Sequence, residues 1–288
     1  MKKFVLIALL ATMSSPVLAD GFAGQVVSYT PGAAPSSRWY FDASFNFQGT
    51  DPLTDPSAAL GAPSGVVTDP YVDDVIVSAF NPAANPDQIV SIGEGGSLIL
   101  RMENYAMIGP GSDIGLFTNV GLADSAWPGG QAGDPASAFG ADSIDLRVSP
   151  DGANWVSLGS VNPNIPTNAW TDSLDPYATS ASGLTAADFS DPFGGTLADF
   201  DGLTYPQINT LLNGSAGGYW LDLSATGLDR VKYIEFVLPD DGQAGTDLNF
   251  ELDAVAIASG HAGAPIPEPC TMGMLALLGA GVLGRRRK

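Results

Sequence analysis

Turn-forming residues interrupt this chain so often that long regular elements have little room. Its 288 residues include 35 Gly and 22 Pro, and Asp, Asn and Ser are scattered between short apolar runs. Gly and Pro are poor in the interiors of helices and strands but favour tight turns. Short apolar runs bounded by such residues are typical of strands joined by turns. The sequence therefore predicts an all-β protein.

Alternating side chains indicate how the strands pack. In residues 98–103 and 143–149, apolar side chains occupy every second position and polar ones most of the positions between. Period-two alternation predicts antiparallel sheets with one buried face, here an antiparallel β-sandwich over residues 20–258. Further strands are predicted at Gln25–Thr30, Ala43–Phe47, Val75–Ala79, Gln88–Ile92, Ile114–Thr118, Trp155–Gly159, Tyr219–Leu223, Val231–Leu238 and Leu252–Ala258.

Little else in the body is regular. Pro206 to Leu212 predicts a short helix, and Thr185 to Asp188 predicts a capped helical turn. The stretch from Asn162 to Thr204 has the weakest strand signal, so we expect a long, mobile connection there. Residues 259–266 are rich in Gly and Pro and are predicted to be a linker.

The N-terminus has the pattern of a secretory signal peptide, residues 1–19. Lys2 and Lys3 form a basic start, an apolar run follows from Phe4 to Ala11, and Val17-Leu18-Ala19 is a small-residue cleavage site. We therefore expect cleavage by signal peptidase, which would begin the mature protein at Asp20.

The last 22 residues combine a motif, an apolar run and a basic end. Pro267-Glu268-Pro269 precedes an apolar run from Thr271 to Gly284, and the chain closes on Arg285, Arg286, Arg287 and Lys288. The run would measure about 21 Å as a helix, and snorkelling of the basic cluster would help it cross a bilayer as a transmembrane helix. The positive charges would keep the C-terminus in the cytoplasm. A short tail anchor that needs no enzyme is the alternative.

This tail resembles the PEP-CTERM sorting domain of Gram-negative bacteria, over residues 267–288. The resemblance implies processing by an exosortase at or near the motif. It also implies a transient inner-membrane anchor, then delivery to the cell surface or extracellular matrix. Cys270 follows the motif, where many members carry a small residue.

The charge of the body limits its partners. Between Gly21 and Pro265 there are 29 acidic and five basic residues, a net charge of −24 with His261 neutral. Such a body should repel nucleic acid and anionic lipid and attract divalent cations, although an acidic surface also serves solubility alone.

A second resemblance concerns the body. The run from Ser143 to Trp155 is predicted to be a hairpin with a turn at Pro150-Asp151-Gly152, and its V-S-x-D-G-x-x-W pattern resembles galactose-binding-like (discoidin-type) jelly rolls. Segments from Ala59 to Ile257 follow the order seen in bacterial surface proteins that pair such a sandwich with this tail. The resemblance implies a jelly roll in which the Gly109–Asp113 loop lies near Asp253. It supplies no ligand.

The residue inventory argues against most catalysis. The only His, His261, lies in the predicted linker and the only Cys, Cys270, lies in the tail. A Ser-His-Asp triad, a Cys nucleophile and a His-ligated zinc site in the body are thereby excluded. A carboxylate pair, as in glycoside hydrolases, remains open, with no sequence reason to select two residues.

Calcium is the metal that such a body would bind, because calcium prefers carboxylate and carbonyl oxygens. The candidate ligands are Asp113 and Asp253, which adjoin predicted core strands, together with Glu103. Two other acidic clusters, one at Asp69, Asp73 and Asp74 and one at Asp240-Asp241-Gly242, are further candidates. None has EF-hand spacing, and the alternative for each is a solvated turn aspartate, least so for Asp113 and Asp253.

Aromatic residues in loops are candidates for sugar contact. Trp127 and Trp170 lie in Gly-, Pro- and Asn-rich stretches and are predicted carbohydrate-binding residues, whereas Trp155 and Trp220 are predicted to lie in the core. We therefore expect a non-enzymatic surface or matrix protein, structural or adhesive towards extracellular polysaccharide. A carbohydrate-binding module with one sugar pocket, or a carboxylate-pair glycoside hydrolase, is the alternative.

Overall fold

The computed structural model describes residues 21–242 and 248–263. Over this part the chain is mainly β, with antiparallel sheets, one short helix (α1, Tyr205–Leu212) and three 3-10 helices (Pro56–Ala59, Leu197–Phe200 and Ser224–Thr226). The strands are β1 (Ala23–Thr30), β2 (Ser37–Phe41), β3 (Phe47–Pro52), β4 (Val66–Val67), β5 (Val75–Ile76), β6 (Val90–Gly93), β7 (Ser97–Met107), β8 (Ile114–Thr118), β9 (Gly121–Leu122), β10 (Ala138–Phe139), β11 (Ile144–Ser149), β12 (Val156–Val161), β13 (Tyr219–Leu221), β14 (Arg230–Val237) and β15 (Asn249–Ile257).

Two antiparallel sheets form the centre of the molecule, consistent with a β-sandwich. One has five strands in the order β1-β7-β14-β11-β12, and the other has four in the order β13-β8-β15-β6. Buried apolar side chains from both sheets form a single cluster, to which Leu100 and Val148 contribute from the first sheet and Leu116 and Val255 from the second. Rings of Phe236 and Phe250 stack between the sheets, with centroids 6.0 Å apart.

The alternating runs form strands where the sequence predicts them. In β7 the even-numbered residues from Leu98 to Ala106 are buried, and the odd-numbered ones are not. Ile144, Leu146 and Val148 are likewise buried in β11, and β8 coincides with the predicted strand Ile114–Thr118. Period-two patterning therefore located β7 and β11 correctly.

The hairpin of β11 and β12 closes with the predicted turn. Gly152 has φ +77°, a conformation that favours glycine. The Asp151 carboxylate accepts hydrogen bonds from the backbone N–H groups of Ala153 and Asn154. Trp155, however, is half-buried and precedes β12, so the prediction of a fully buried core Trp is wrong.

The segment from Asn162 to Thr204 is packed, contrary to the predicted mobile connection. It contributes Ile165 and Phe200 to one buried cluster and Ala187 to another. The second cluster covers the outer face of the four-stranded sheet, where the Phe117 ring meets Phe189 edge-on at 5.4 Å. Because core and loops sandwich this sheet, β15 is buried on both faces.

Of the two helical segments predicted from the sequence, one is present and the other is not. Helix α1 matches the predicted Pro206–Leu212. It begins after Thr204, whose N–H donates to the Gln207 side chain at 2.9 Å, and ends at Asn213 in the left-handed conformation. Residues 185–188 are not helical but carry isolated β-bridges. The predicted strand Ala43–Phe47 is also wrong, because residues 42–46 form the turn between β2 and β3.

The first residues of the predicted linker are attached to the body. Ala262 forms a bridge with Ala106 of β7. The N–H of Met107 donates to the carbonyl of His261 at 2.7 Å, and the N–H of Gly263 donates to that of Tyr105 at 2.8 Å. We call residues 259–263 the C-terminal strap. It holds the chain against the C-terminal end of β7.

Candidate functional site

Asp113, a predicted calcium ligand, is fully buried and its carboxylate is engaged by the protein itself. One oxygen accepts from the Gly109 N–H at 2.9 Å and lies 2.8 Å from His261 Nδ1, while the other accepts from the Leu223 N–H at 2.7 Å. These bonds join the 109–113 loop, the C-terminal strap and the segment after β13. The geometry gives Asp113 a structural role.

Asp253, the second predicted ligand, lies in β15 at an irregularity in its pairing with β8. Its side chain is buried, and the Ser64 N–H lies 3.4 Å from one carboxylate oxygen. Burial raises the pKa of Asp253 well above its usual range. A carboxyl group that holds its proton is a poor ligand for a hard cation.

The structure does not bring the predicted ligands together. Asp113 precedes β8 beside Ala258, whereas Asp253 lies opposite the other end of β8, near Thr118. At about 3.3 Å per residue this separation exceeds roughly 10 Å, so the proximity implied by the resemblance is wrong. Glu103 lies in β7 of the other sheet and is exposed. The three residues do not fit one calcium ion.

A different acidic group does cluster in the described part of the chain. Carboxylate oxygens of Glu94, Asp240 and Asp241 come within 4.8 Å of one another. Asp240 and Asp241 belong to a cluster that the sequence also singled out, although Glu94 was not expected beside them. Asp69, from the remaining predicted cluster, instead pairs with Arg38 at 3.1 Å.

The two predicted carbohydrate residues differ in their surroundings. Trp127 is 74% exposed, as a binding residue requires. Trp170 is partly buried, and its indole N–H donates to the carbonyl of Gly65 at 2.8 Å. Its ring also packs against a buried cluster, so Trp170 connects two loops of the fold.

The predicted sorting elements lie outside the described residues. They are the motif Pro267, Glu268 and Pro269, the apolar run that follows it, and the basic cluster Arg285, Arg286, Arg287 and Lys288. In the part of the chain that is described, none of the helices has the length and apolar character needed to cross a membrane.

The most unusual surface is the hairpin of β2 and β3. Its outward face carries Trp39, Phe41 and Phe47, which are 61%, 41% and 55% exposed, and its turn carries Phe45, which is 87% exposed. Burying a ring of this size stabilises a protein by roughly 1.5–3 kcal/mol. These side chains gain little of that stabilisation in the single chain, because they remain exposed. We call these four residues the aromatic face.

The inward face of the same hairpin is polar where most strands are apolar. Arg38 and Tyr40 point towards the body, and Tyr40 is buried. The guanidinium of Arg38 pairs with Asp69 and lies 5.7 Å from the centre of the Tyr40 ring. The Tyr40 ring also packs against Tyr71 at 5.8 Å. The hairpin is thereby fixed with its apolar side facing solvent.

The turn of the hairpin is organised around Asp42. Its carboxylate accepts from the N–H groups of Ser44 and Asn46, both at 2.9 Å, and from the side chain of Gln48 at 3.1 Å. These bonds lower the pKa of Asp42, with the bonds from Asn46 contributing most. The turn places Phe45 at φ +61°, a left-handed conformation that costs a non-glycine residue roughly 1–2 kcal/mol.

The base of the hairpin is attached to the four-stranded sheet. The Ser36 N–H donates to Ser91 Oγ at 2.9 Å, and the Leu53 N–H donates to the carbonyl of Ser36 at 3.0 Å. The Ser36 hydroxyl contacts Asn249 Oδ1 at 2.7 Å and also the Glu251 carboxyl group. The two ends of the hairpin, at Ser36 and Leu53, are therefore held together and fixed to the four-stranded sheet.

Glu251 is an unusual acid in this base. It is 6% exposed and lies in β15 opposite Ser91. Burial raises its pKa to about 7; the negative charge of Asp142 adds to the rise, and hydrogen bonds from Ser36 and Asn119 oppose it.

The sequence contained signals for this hairpin that our strand prediction missed. Apolar rings alternate on both sides of Asp42, at Trp39 and Phe41 before it and at Phe45 and Phe47 after it. An Asp followed by small and polar residues predicts a side-chain-capped turn. Assigning the turn there, rather than a strand at Ala43–Phe47, would have placed three of the four rings on one face.

Comparison of the chain with models of known protein families gives no match, and a search of curated proteins finds no relative. The resemblances described for the tail and the body therefore support proposals only.

Proposed function

We propose that the protein is an exported, non-enzymatic surface or matrix protein that is structural or adhesive towards extracellular polysaccharide. Its body is a jelly roll, and its tail is sorted by an exosortase. A signal peptide and a PEP-CTERM-like tail support export from both ends of the sequence. The polypeptide passes through the inner membrane and is delivered to the surface of a Gram-negative-type bacterium or its matrix.

The observation that carries this proposal is that the C-terminal strap and the aromatic hairpin lie at opposite ends of the body. The C-terminal strap binds β7 at Tyr105 and Met107, so the tail leaves from that end. The chain leading to the aromatic hairpin lies at the other end, because Thr30 of β1 pairs with Ser97 and the N–H of Ala33 donates to the carbonyl of Glu94. The 11 residues of β7 separate the ends by roughly 34 Å. A body anchored by its tail would present the aromatic hairpin away from the membrane.

Charge agrees with this role. A net charge of −24 on the body disfavours nucleic acid and anionic lipid as partners, while an uncharged polysaccharide carries no such penalty.

The test follows the C-terminus in native cells. In wild-type cells, mass spectrometry should find a mature protein that ends at or near Pro267-Glu268-Pro269 and fractionates with the surface or matrix. Glu268→Ala, or loss of the exosortase, should leave full-length precursor in the inner membrane. Aspartate substitution of Glu268 is the matched control for charge. Unchanged surface delivery of the Ala variant would contradict sorting by this tail.

A further inference from the structure

The aromatic face is not explained by the fold. The β2–β3 hairpin attaches to the body through Arg38, Tyr40 and its base, all on the inward side or at the ends. The outward rings contact one another: Trp39 lies 5.5 Å from Phe47, and Phe41 lies 5.9 Å from Phe47. An exposed sheet face is ordinarily polar, so three adjoining rings there indicate a contact surface.

The turn points to the same conclusion independently. Phe45 adopts a left-handed backbone conformation, and its ring is more exposed than any of the other three. A strained backbone that the surrounding bonds enforce is characteristic of binding sites. Here the bonds to Asp42 hold a large apolar ring in solvent.

The negative charges near the aromatic face limit which partners can bind there. Asp42 lies in the turn beside the face, whereas Asp51 lies opposite Arg38 on the inward side of the hairpin. The hairpin's one basic residue, Arg38, is already paired with Asp69. Anionic lipid, nucleic acid or acidic protein would therefore be repelled. A second copy would bring another strongly acidic body, with its own Asp42, against the first.

An uncharged polysaccharide fits both features. The faces of sugar rings carry C–H groups that pack on aromatic rings, and a chain without charge is not repelled by the acidic body. The ring planes of Trp39 and Phe47 meet at 54°, and those of Phe41 and Phe47 at 64°. The three rings therefore do not lie in one plane, and each can contact a different sugar unit of a chain.

We propose that the aromatic face of Trp39, Phe41, Phe45 and Phe47 is the site at which the protein docks an uncharged extracellular polysaccharide. This inference rests on the proposed function and names its contact residues. It assigns the contact to the hairpin rather than to Trp127 or Trp170.

The experiment compares two tryptophans that are both exposed. The probe is the protein-free exopolysaccharide of the producing bacterium, sedimented with the full-length protein in mild detergent and roughly 0.15 M sodium chloride, where exposed charges are largely screened. Trp39→Ala should weaken binding roughly tenfold or more, as expected for a central aromatic contact, and so should Phe47→Ala. Trp127→Ala, the matched control, should bind as wild type.

Oxidative footprinting of the wild-type protein gives a second readout that does not depend on a variant folding. Polysaccharide should protect Trp39 and Phe45 from modification and leave Trp127 unprotected. If wild type binds with Trp39 unprotected, or if Trp127→Ala removes binding, the inference fails while the proposed function stands. If wild type does not bind at all, the polysaccharide role itself fails.

Two further measurements test whether the aromatic face binds a lipid surface or a second copy of the chain instead. Protection of Trp39 by phosphatidylcholine vesicles but not by polysaccharide would overturn the proposal in favour of a lipid surface. Self-association that Trp39→Ala abolishes, in the absence of any polysaccharide, would overturn it in favour of a second copy.

Discussion

The Glu251→Gln substitution should change how stability depends on pH. Glu251 is buried beneath the hairpin base, and its pKa in the folded protein is about 7 against an ordinary value of 4.5. The folded state therefore holds a proton that the unfolded state has lost between these values. This contribution to stability is complete below pH 4.5, falls as the pH rises, and is absent above about pH 7.

The size of the effect follows from the same two values. A separation from 4.5 to about 7, at roughly 1.4 kcal/mol per pKa unit, amounts to about 3 kcal/mol of unfolding free energy. Glutamine stays neutral at every pH, and its side-chain oxygen still accepts from the Ser36 hydroxyl. The variant should match wild type near pH 4.5 and exceed its stability by about 3 kcal/mol near pH 8.

Urea unfolding followed by circular dichroism measures this difference across the pH range. Glu103→Gln is the control for the loss of one carboxylate, because that glutamate is exposed and lies outside the hairpin base. Asp253 titrates in both proteins and cancels from the comparison. An equal difference between Glu251→Gln and wild type at both pH values would refute the reasoning.

Three further predictions concern residues that the sequence singled out. Trp155→Ala should lower the unfolding free energy by roughly 1–2 kcal/mol, below the 3–5 kcal/mol of a fully buried ring, and a larger loss by chemical denaturation would contradict the half-buried position. Trp170→Phe should cost about 1 kcal/mol through its lost bond to Gly65; undiminished stability with lost polysaccharide binding would instead mark a binding residue. Millimolar calcium should raise the melting temperature no more than sodium chloride of equal ionic strength. A calcium-specific rise that Asp253→Asn removes would restore the metal site predicted there.

The central strands were predictable because their environment is regular. One face of each central strand of the five-stranded sheet packs on the core, and the other face is less buried. This difference produces a period of two in the sequence at Leu98 to Met102 and at Ile144 to Val148. Ile114–Thr118 was recognised from its apolar content. Its burial on both faces was not, because the covering loops come from distant segments.

The parts of the fold and the candidate sites that the sequence did not predict depend on tertiary contacts, which leave no local pattern in the sequence. The segment from Asn162 to Thr204 packs through isolated bridges and single buried side chains, so it shows no periodicity. Asp253 lies within the predicted strand Leu252–Ala258, but only the tertiary structure shows that its side chain is buried. The acidic pair of Asp240 and Asp241 was visible, but Glu94 joins it only through tertiary structure.

The placement of the strap and the hairpin has a mechanical consequence. If the strap is held and the hairpin is pulled, tension enters β1 next to Thr30 and reaches the strap through its bonds to β7 and through β15, from which the strap continues. Part of the force then runs along β1 and β7, whose hydrogen bonds lie perpendicular to the strands. Those bonds would bear the load together in shear and would not open one after another like a zip. The pairing of β1 with β7 thus resists stretching along the axis that joins the strap to the hairpin.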